Sequence, residues 1–234
     1  GYFRFSEDLD FTFINQKEFK EKSANQTRKI ISKKITKLSL VIEKIANNFG
    51  LRFKAEKNNK EYFEFGGGNK DSFIKIQINF KENLEFPIKT IGLTNLVSKN
   101  FEKEFSVNFS EEHKFVFSDF KIKCYDIQEI LCEKVRAILT RQGVKSRDFI
   151  DVFMIEKKNS LNVQDFEKEI LEKTKASLIN DKYLENLNSK QKIPPVYKKG
   201  EEEKLLLIEL DKEFYESFLD SFNKFLIKLL NSLT

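Results

Sequence analysis

The apolar residues of this chain repeat with two different periods, and the change between them most constrains the fold. Residues 73–80 read Phe-Ile-Lys-Ile-Gln-Ile-Asn-Phe, where apolar and polar residues alternate as in a half-buried β-strand. From residue 126 onward, apolar residues recur every three or four positions, which is typical of amphipathic helices. The sequence therefore predicts an α+β fold, with an α/β half followed by a helical half and a boundary near residue 122.

The same patterns predict the individual elements. A first strand ends near residue 14, an amphipathic helix covers about 26–48, and further strands lie near 51–56, 60–65, 72–80 and 121–125. We expect helices at 126–141, 146–158, 162–173, 176–188 and 202–232, a hairpin loop at 66–69, and a packed aromatic layer between 101 and 120. The domains would be 1–122 and 123–234. The sequence opens on Gly1 without an initiator Met, so we expect native N-terminal residues to be missing.

Composition narrows the classes of function. A net charge of +5 permits contact with phosphates without requiring it. With a single histidine, His113, a His-rich metal site or a His-based triad is not expected, and two cysteines fit a reduced cytosolic compartment. No apolar run approaches the roughly 20 residues that span a bilayer. We therefore expect a cytoplasmic protein without a membrane partner.

Two carboxylates near the start form the first candidate site. Residues 4–11 read Arg-Phe-Ser-Glu-Asp-Leu-Asp-Phe, a turn running into a strand. Because strand side chains alternate between faces, Asp8 and Asp10 should project together while Leu9 and Phe11 point to the core. Such a pair can hold one hard divalent cation, normally Mg²⁺. A solvated acidic edge strand is the alternative interpretation, because Asp-x-Asp is a short motif.

A second constellation lies on the two helices predicted after residue 125. Lys134 and Arg141 are seven residues apart and share a helix face. Ser146 is a suitable N-cap for the next helix, whose first turns carry Arg147, Asp148 and Asp151. Ordinary charge pairs on two helices would also produce this pattern. A lysine that faces an aspartate on a neighbouring helix can, however, be oriented toward a phosphate.

Together the two motifs resemble the AbiEii/AbiGii-type toxin family of nucleotidyltransferases. The resemblance rests on residues 4–11, on Glu129-x4-Lys134-x2-Ala137-x3-Arg141 and on Arg147-Asp148-x2-Asp151. It implies a nucleotidyltransferase-like mixed sheet with flanking helices, followed by a helical-bundle domain. It also implies NTP use with Mg²⁺, or with Mn²⁺ as an alternative ion, and a toxin role beside a cognate antitoxin. tRNA acceptor ends are a substrate implied for some members.

The resemblance also implies roles for single residues. Asp8 and Asp10 would hold the metal, and Lys134 would contact the triphosphate. Asp148 would position Lys134 or assist the acceptor hydroxyl. The remaining nucleotide-binding residues would be Arg4, Ser6 and Arg141, and the supporting residues would be Arg147, Asp151, Gln77 and Lys75.

Two departures from the family pattern keep other functions open. The Gly-Gly-Ser/Thr turn expected before Arg4 is absent, and Gln77 stands where the third strand of such folds often carries an acid. The leading hypothesis is transfer of NMP from an NTP to a hydroxyl of RNA, such as tRNA, or of protein. A catalytically degenerate protein that binds nucleotide or an antitoxin is the alternative. A glycosyltransferase ranks last, because it leaves Lys134 without a role.

Overall fold

The computed structural model describes residues 8–55, 62–66, 73–80, 82–92, 97–200, 204 and 206–233. Its contacts divide the chain into two compact units, Phe5–Asn83 and Leu84–Thr234, the second also including Gly1–Arg4. Each unit is described by itself. Within the described ranges, no helix combines the length and apolar character needed to cross a membrane.

A four-stranded mixed sheet organises the first unit. Its strands are β1 (Asp8–Thr12), β2 (Arg52–Ala55), β3 (Tyr62–Gly66) and β4 (Phe73–Asn79), in the order β1-β4-β3-β2. β1 runs parallel to β4, whereas the β4–β3 and β3–β2 pairs are antiparallel. The predicted strands and their mixed arrangement are confirmed. The Gly66-Gly67-Gly68-Asn69 loop lies largely outside the described residues.

Helix α1 (Ala24–Asn48) supplies the other half of this core. Ser23 and Gln26 form a capping box at its start, which satisfies two backbone N–H groups that the helix itself cannot. Ile35 packs with Ile76, Ile78 and Phe80, and half-buried residues of α1 and β2 surround this cluster. The expectation that Leu9 and Phe11 are core residues is wrong, since they are 48% and 54% exposed. Both lie on the edge strand β1, where their register partners are Ile76 and Ile78 of the cluster, so they project to the core face but stay exposed at its edge.

The second unit begins with a short antiparallel pair, β5 (Lys89–Gly92) and β6 (Lys121–Cys124). Two short helices, α2 (Glu102–Asn108) and α3 (Ser110–Val116), lie between these strands. Neither helix has a buried residue, and Phe101, Phe109 and Phe115 are more than half exposed. The predicted packed aromatic layer is therefore wrong, because rings such as Phe105 and Phe117 contact each other at the surface rather than a core.

Five longer helices build the core of the second unit. They are α4 (Ile127–Thr140), α5 (Ser146–Asn159), α6 (Glu167–Ser177), α7 (Asp181–Lys192) and α8 (Lys212–Ser232). Each contributes apolar side chains to one cluster, which includes Leu131, Phe149, Ile170, Leu187 and Leu226. The predicted apolar stripe of α8 lies in this core, as expected. The helix starts at Lys212 instead of near residue 202.

Two details differ from the sequence expectations. The N-cap of α5 is Lys145, and Ser146 is the first helical residue, so the predicted Ser146 cap is wrong. Compact packing divides the chain at Asn83 and Leu84, earlier than the predicted boundary near 122. The reason is that Phe86 packs against the helical core and Lys89 forms an ion pair with Asp126, the N-cap of α4. The domain division at residue 122 stays a prediction.

Candidate functional site

The acidic motif lies on β1, where it pairs with the central strand β4. Asp8 is the register partner of Lys75, and Asp10 is the register partner of Gln77. Register partners in neighbouring strands project to the same face, so Asp10 and Gln77 are side-by-side positions. The side chains of Asp10 and Lys75 are exposed, and that of Gln77 is half-buried. Arg4, Ser6 and the side chain of Asp8 lie outside the described part of the chain.

The chemistry of these donors fits a hard cation. Asp10 and Gln77 offer a carboxylate and an amide oxygen from adjacent strands, and Asp8 is two residues from Asp10. Oxygen ligands suit Mg²⁺ and Mn²⁺, and Mg²⁺ commonly uses one or two protein carboxylates with water and phosphate oxygens for the rest. Among the side chains that the structure describes, no group of three or more His, Cys, Asp or Glu is placed to hold a metal ion.

The second constellation is assembled by α4 and α5. The Nζ atom of Lys134 lies 2.6 Å from Oδ2 of Asp151 and 3.5 Å from Oδ1 of Asp148. The side chains of both aspartates are almost fully buried, whereas that of Lys134 is 24% exposed. Two carboxylates on one helix therefore hold the ammonium of the neighbouring helix at the edge of solvent.

Arg141 completes this group from the end of α4. Its Nη1 donates a hydrogen bond of 2.9 Å to Oδ2 of Asp148, and its side chain is 42% exposed. Oδ1 of Asp148 is buried, has no hydrogen-bond partner in the described structure, and lies 3.5 Å from the ammonium of Lys134. Arg147 is half-buried and, within the described ranges, makes no ion pair with Asp151 or another acid. The structure thus brings together Lys134, Arg141, Asp148 and Asp151, but not Arg147.

Sequence reasoning missed Lys190 of α7, which lies beside this group. Lys190 is 6% exposed, and its ammonium donates to the backbone carbonyl of Ile138 in α4. Burial lowers the pKa of Lys190 to about 8; the charge of Asp148 raises it and that of Arg141 lowers it. A lysine on the polar helix 181–192 carries no sequence signal that distinguishes it from its exposed neighbours.

Glu129 of α4 is the centre of a second buried network of hydrogen bonds and ion pairs. Oε2 of Glu129 accepts hydrogen bonds of 2.9 Å from the backbone N–H groups of Glu85 and Phe86, and Oε1 lies 2.6 Å from Nζ of Lys173. Glu129 is 0% and Lys173 is 2% exposed. Glu129 has the helical spacing that places it on the same face of α4 as Cys132 and Leu139, which is the buried face. The sequence therefore does contain a signal for a buried carboxylate at this position.

Arg136 and Glu133 extend this network toward the surface. Two hydrogen bonds, of 3.1 and 2.9 Å, join Nε of Arg136 to the Glu133 carboxylate, which also lies 3.4 Å from Nζ of Lys173. Burial raises the pKa of Glu133, but the hydrogen bond and charge of Arg136, together with Lys173, outweigh burial and lower it overall. Lys173 therefore forms ion pairs with both Glu129 and Glu133, and these two pairs fix the buried face of α4.

A comparison with protein families finds one match. The model described as "Nucleotidyl transferase AbiEii toxin, Type IV TA system" matches residues 1–230 of the 234-residue chain. Neither a curated protein nor a solved structure matches the chain. The family match covers both motifs and both compact units.

Proposed function

The chain belongs to the AbiEii family of nucleotidyl transferase toxins of type IV toxin–antitoxin systems, and from this membership we propose that it transfers NMP from an NTP to a hydroxyl of RNA, such as tRNA, or of protein. We further propose that it has a nucleotidyltransferase-like sheet with a helical-bundle domain, and that it acts beside a cognate antitoxin. The observation that carries the activity is Lys134, a partly exposed ammonium oriented by two buried carboxylates.

In this proposal, Asp8 and Asp10 hold Mg²⁺, or Mn²⁺ in its place, next to the neutral amide of Gln77. A bound Mg²⁺ would neutralise charge on the triphosphate and keep coordination positions open for its oxygens. Asp10 is an exposed residue of an edge strand, which suits a ligand that must stay accessible to substrate. Arg4 and Ser6 belong to the same proposed nucleotide-binding segment.

Lys134 has the chemistry of a phosphate ligand. An ammonium has three N–H donors. The carboxylates of Asp148 and Asp151 face it, which leaves a donor for an oxygen of the β- or γ-phosphate. Both carboxylates are buried, and Arg141 holds Asp148 in place. The ammonium therefore does not need to reorganise when negative charge develops on the leaving pyrophosphate. Arg147 and Lys75 are assigned supporting roles only.

The reaction itself asks for positioning and charge stabilisation. The acceptor oxygen attacks the α-phosphorus, a new P–O bond forms, the bond to the bridging oxygen breaks, and pyrophosphate leaves with the electron pair. The acceptor hydroxyl gives its proton to solvent water as this bond forms. Lys134 stabilises the charge that develops on pyrophosphate, and Asp148 keeps Lys134 in place. No covalent intermediate with the protein is needed.

The test is transfer of label from each α-labelled NTP to total tRNA or to protein. We expect Asp10→Asn to reduce the transfer by about 10²-fold or more, because it removes a charged ligand and leaves a neutral amide of similar shape. The matched control is Asp220→Asn, the same change at an exposed position of α8. Full activity of a folded Asp10→Asn protein would refute the assignment.

A second function, binding without turnover, is favoured by one observation. Gln77 is the register partner of Asp10, so a neutral side chain stands where an acid would complete a three-carboxylate site. Calorimetry with each NTP and Mg²⁺ separates the two functions: binding without label transfer favours a degenerate nucleotide- or antitoxin-binding protein. Under that function, Gln77→Asp should tighten Mg²⁺-dependent NTP binding, since it adds a charged oxygen ligand.

A further inference from the structure

The basic residues of this chain are concentrated on one helix. α1 contains six basic residues and one acidic residue, a net charge of +5, which equals the net charge of the whole chain. The other 209 residues therefore sum to zero. Helix α6, by comparison, carries three acidic and three basic residues. The excess charge is thus a local property of α1 and not a general feature of the surface.

Four of these residues form a row, which we call the α1 lysine stripe: Lys29, Lys33, Lys37 and Lys44. In an α-helix, these spacings place the four side chains within about 80° of one another, over a length of about 22 Å. All four are exposed. Along the described chain, none of them makes a salt bridge. Lys34, by contrast, points elsewhere, pairing with Glu18 at 2.9 Å and lying over the ring of Phe13.

The opposite face of α1 is already used. Ile35 is buried against Ile76 and Ile78 of β4, and Leu38 and Ile42 pack against the same cluster. A helix that lies on a membrane surface needs its apolar face free to enter the lipid. The buried apolar residues of α1 cover the sheet, whereas Leu40, Val41 and Ile45 stay 63%, 56% and 47% exposed. We therefore assign the stripe to a partner by its charge, and binding to lipid vesicles is the competing outcome.

We propose that the α1 lysine stripe binds the phosphate backbone of an RNA, and that this RNA is the acceptor of the transfer. A row of cations one or two helical turns apart, without a salt bridge to any described residue, suits a ligand whose negative charges are also arranged in a row. The stripe contains no arginine fork and no aromatic ring, so it reads backbone charge and not base sequence. The acceptor assignment rests on the proposed function, whereas the binding surface itself does not.

The test compares two triple variants of the full chain. Lys29→Gln/Lys33→Gln/Lys37→Gln removes three charges from the stripe, and glutamine keeps a helix propensity close to that of lysine. The matched control is Lys175→Gln/Lys182→Gln/Lys192→Gln, which removes the same charge from exposed positions of α6 and α7. Binding of fluorescent total tRNA is measured by anisotropy without NTP, over a series of KCl concentrations.

Each lost phosphate contact should lower the salt slope by about 0.7 to 0.9. We therefore expect the slope of log K against log salt to fall by about 2 to 3 for the stripe variant, and its affinity at 0.1 M salt to fall by about 10²-fold. The control should keep the wild-type slope. Equal losses in both variants would overturn the proposal, because binding would then follow net charge alone.

Two further arms distinguish other polyanions and the proposed function. If poly-glutamate or vesicles containing anionic lipid bind the wild type as tightly as tRNA does, and lose binding in the stripe variant, the assignment to RNA is wrong. Normal tRNA binding by the stripe variant, together with label transfer by the wild type, refutes the stripe and leaves the transferase intact. Stripe-dependent tRNA binding without any label transfer keeps the stripe as an RNA-binding surface and refutes the transferase and the acceptor assignment.

Discussion

The buried Glu129–Lys173 pair predicts that a substitution at Lys173 restores stability that a substitution at Glu129 removes. In Glu129→Leu, the ammonium of Lys173 stays buried, loses the carboxylate at 2.6 Å and lies 3.4 Å from that of Glu133. Leaving one partner of a buried pair costs about 3 to 5 kcal/mol. The N–H groups of Glu85 and Phe86 also lose their acceptor, at about 1 kcal/mol each because they are only part-buried. The free energy of unfolding should therefore fall by about 5 to 7 kcal/mol.

Adding Lys173→Met should return much of this loss. Methionine fills a similar volume without charge, and Glu133 keeps Arg136 as its partner, so the main remaining cost is the lost acceptor of the two backbone N–H groups. We expect the double variant to be less stable than wild type by about 2 kcal/mol, and more stable than Glu129→Leu by about 3 kcal/mol or more. Urea unfolding followed by circular dichroism measures both differences. If Glu129→Leu does not fold alone, recovery of helical signal in the double variant is the same result.

Hydrogen exchange separates the two contributions of Glu129. The amides of Glu85 and Phe86 should exchange faster in Glu129→Leu than in Lys173→Met, because both variants break the buried pair but only the second keeps the acceptor of these amides. A double variant as unstable as Glu129→Leu, or less stable, would refute the reasoning, since the buried charge of Lys173 would then not be the main cost.

The remaining predictions concern two groups whose pKa is shifted by burial. Because folding lowers the pKa of Lys190 to about 8, the unfolded chain binds more protons than the native one between about pH 8 and 10.5, and stability should rise with pH across that window by about 3 kcal/mol. Urea unfolding from pH 7 to 11 should show this rise in wild type and lose that part of it in Lys190→Met; the same rise in both proteins would contradict the assignment. Burial, with the neighbouring charge of Glu129, raises the pKa of Cys132 to about 12, whereas Cys124 is only half-buried. At pH 8 a thiol reagent should therefore modify Cys124 in the native protein and Cys132 only after unfolding, as measured by mass spectrometry; rapid modification of native Cys132 would contradict its burial.

Much of the fold follows from local patterns. The alternation at residues 73–80 specifies a strand whatever its neighbours are, and the apolar stripes of α4 and α8 specify which faces are buried. The same is true of Lys134 and Arg141, because residues two helical turns apart on α4 share a face. These features could be predicted because each depends only on residues that are close together along the chain.

Other features depend on which elements meet. Leu9 and Phe11 alternate like core residues but lie at a sheet edge, and the phenylalanines of residues 101–120 are as apolar as core residues but cover no second layer. The register that sets Gln77 beside Asp10, and the burial that pairs Glu129 with Lys173, join residues that are 67 and 44 positions apart. Local spacing carries no information about such distant partners.

The sequence by itself determined the order of strands and helices outside residues 81–120, the two charged motifs and the concentration of basic residues on residues 24–48. Only the tertiary structure decided that Asp151 is a closer partner of Lys134 than Asp148 is, that Lys190 is buried, and that no acid among the described residues forms a salt bridge with the lysine stripe. The physical reason is that the sequence determines which residues carry charge. The energy of each charge depends on the local dielectric and on its partner, and both of these are set by the packing around it.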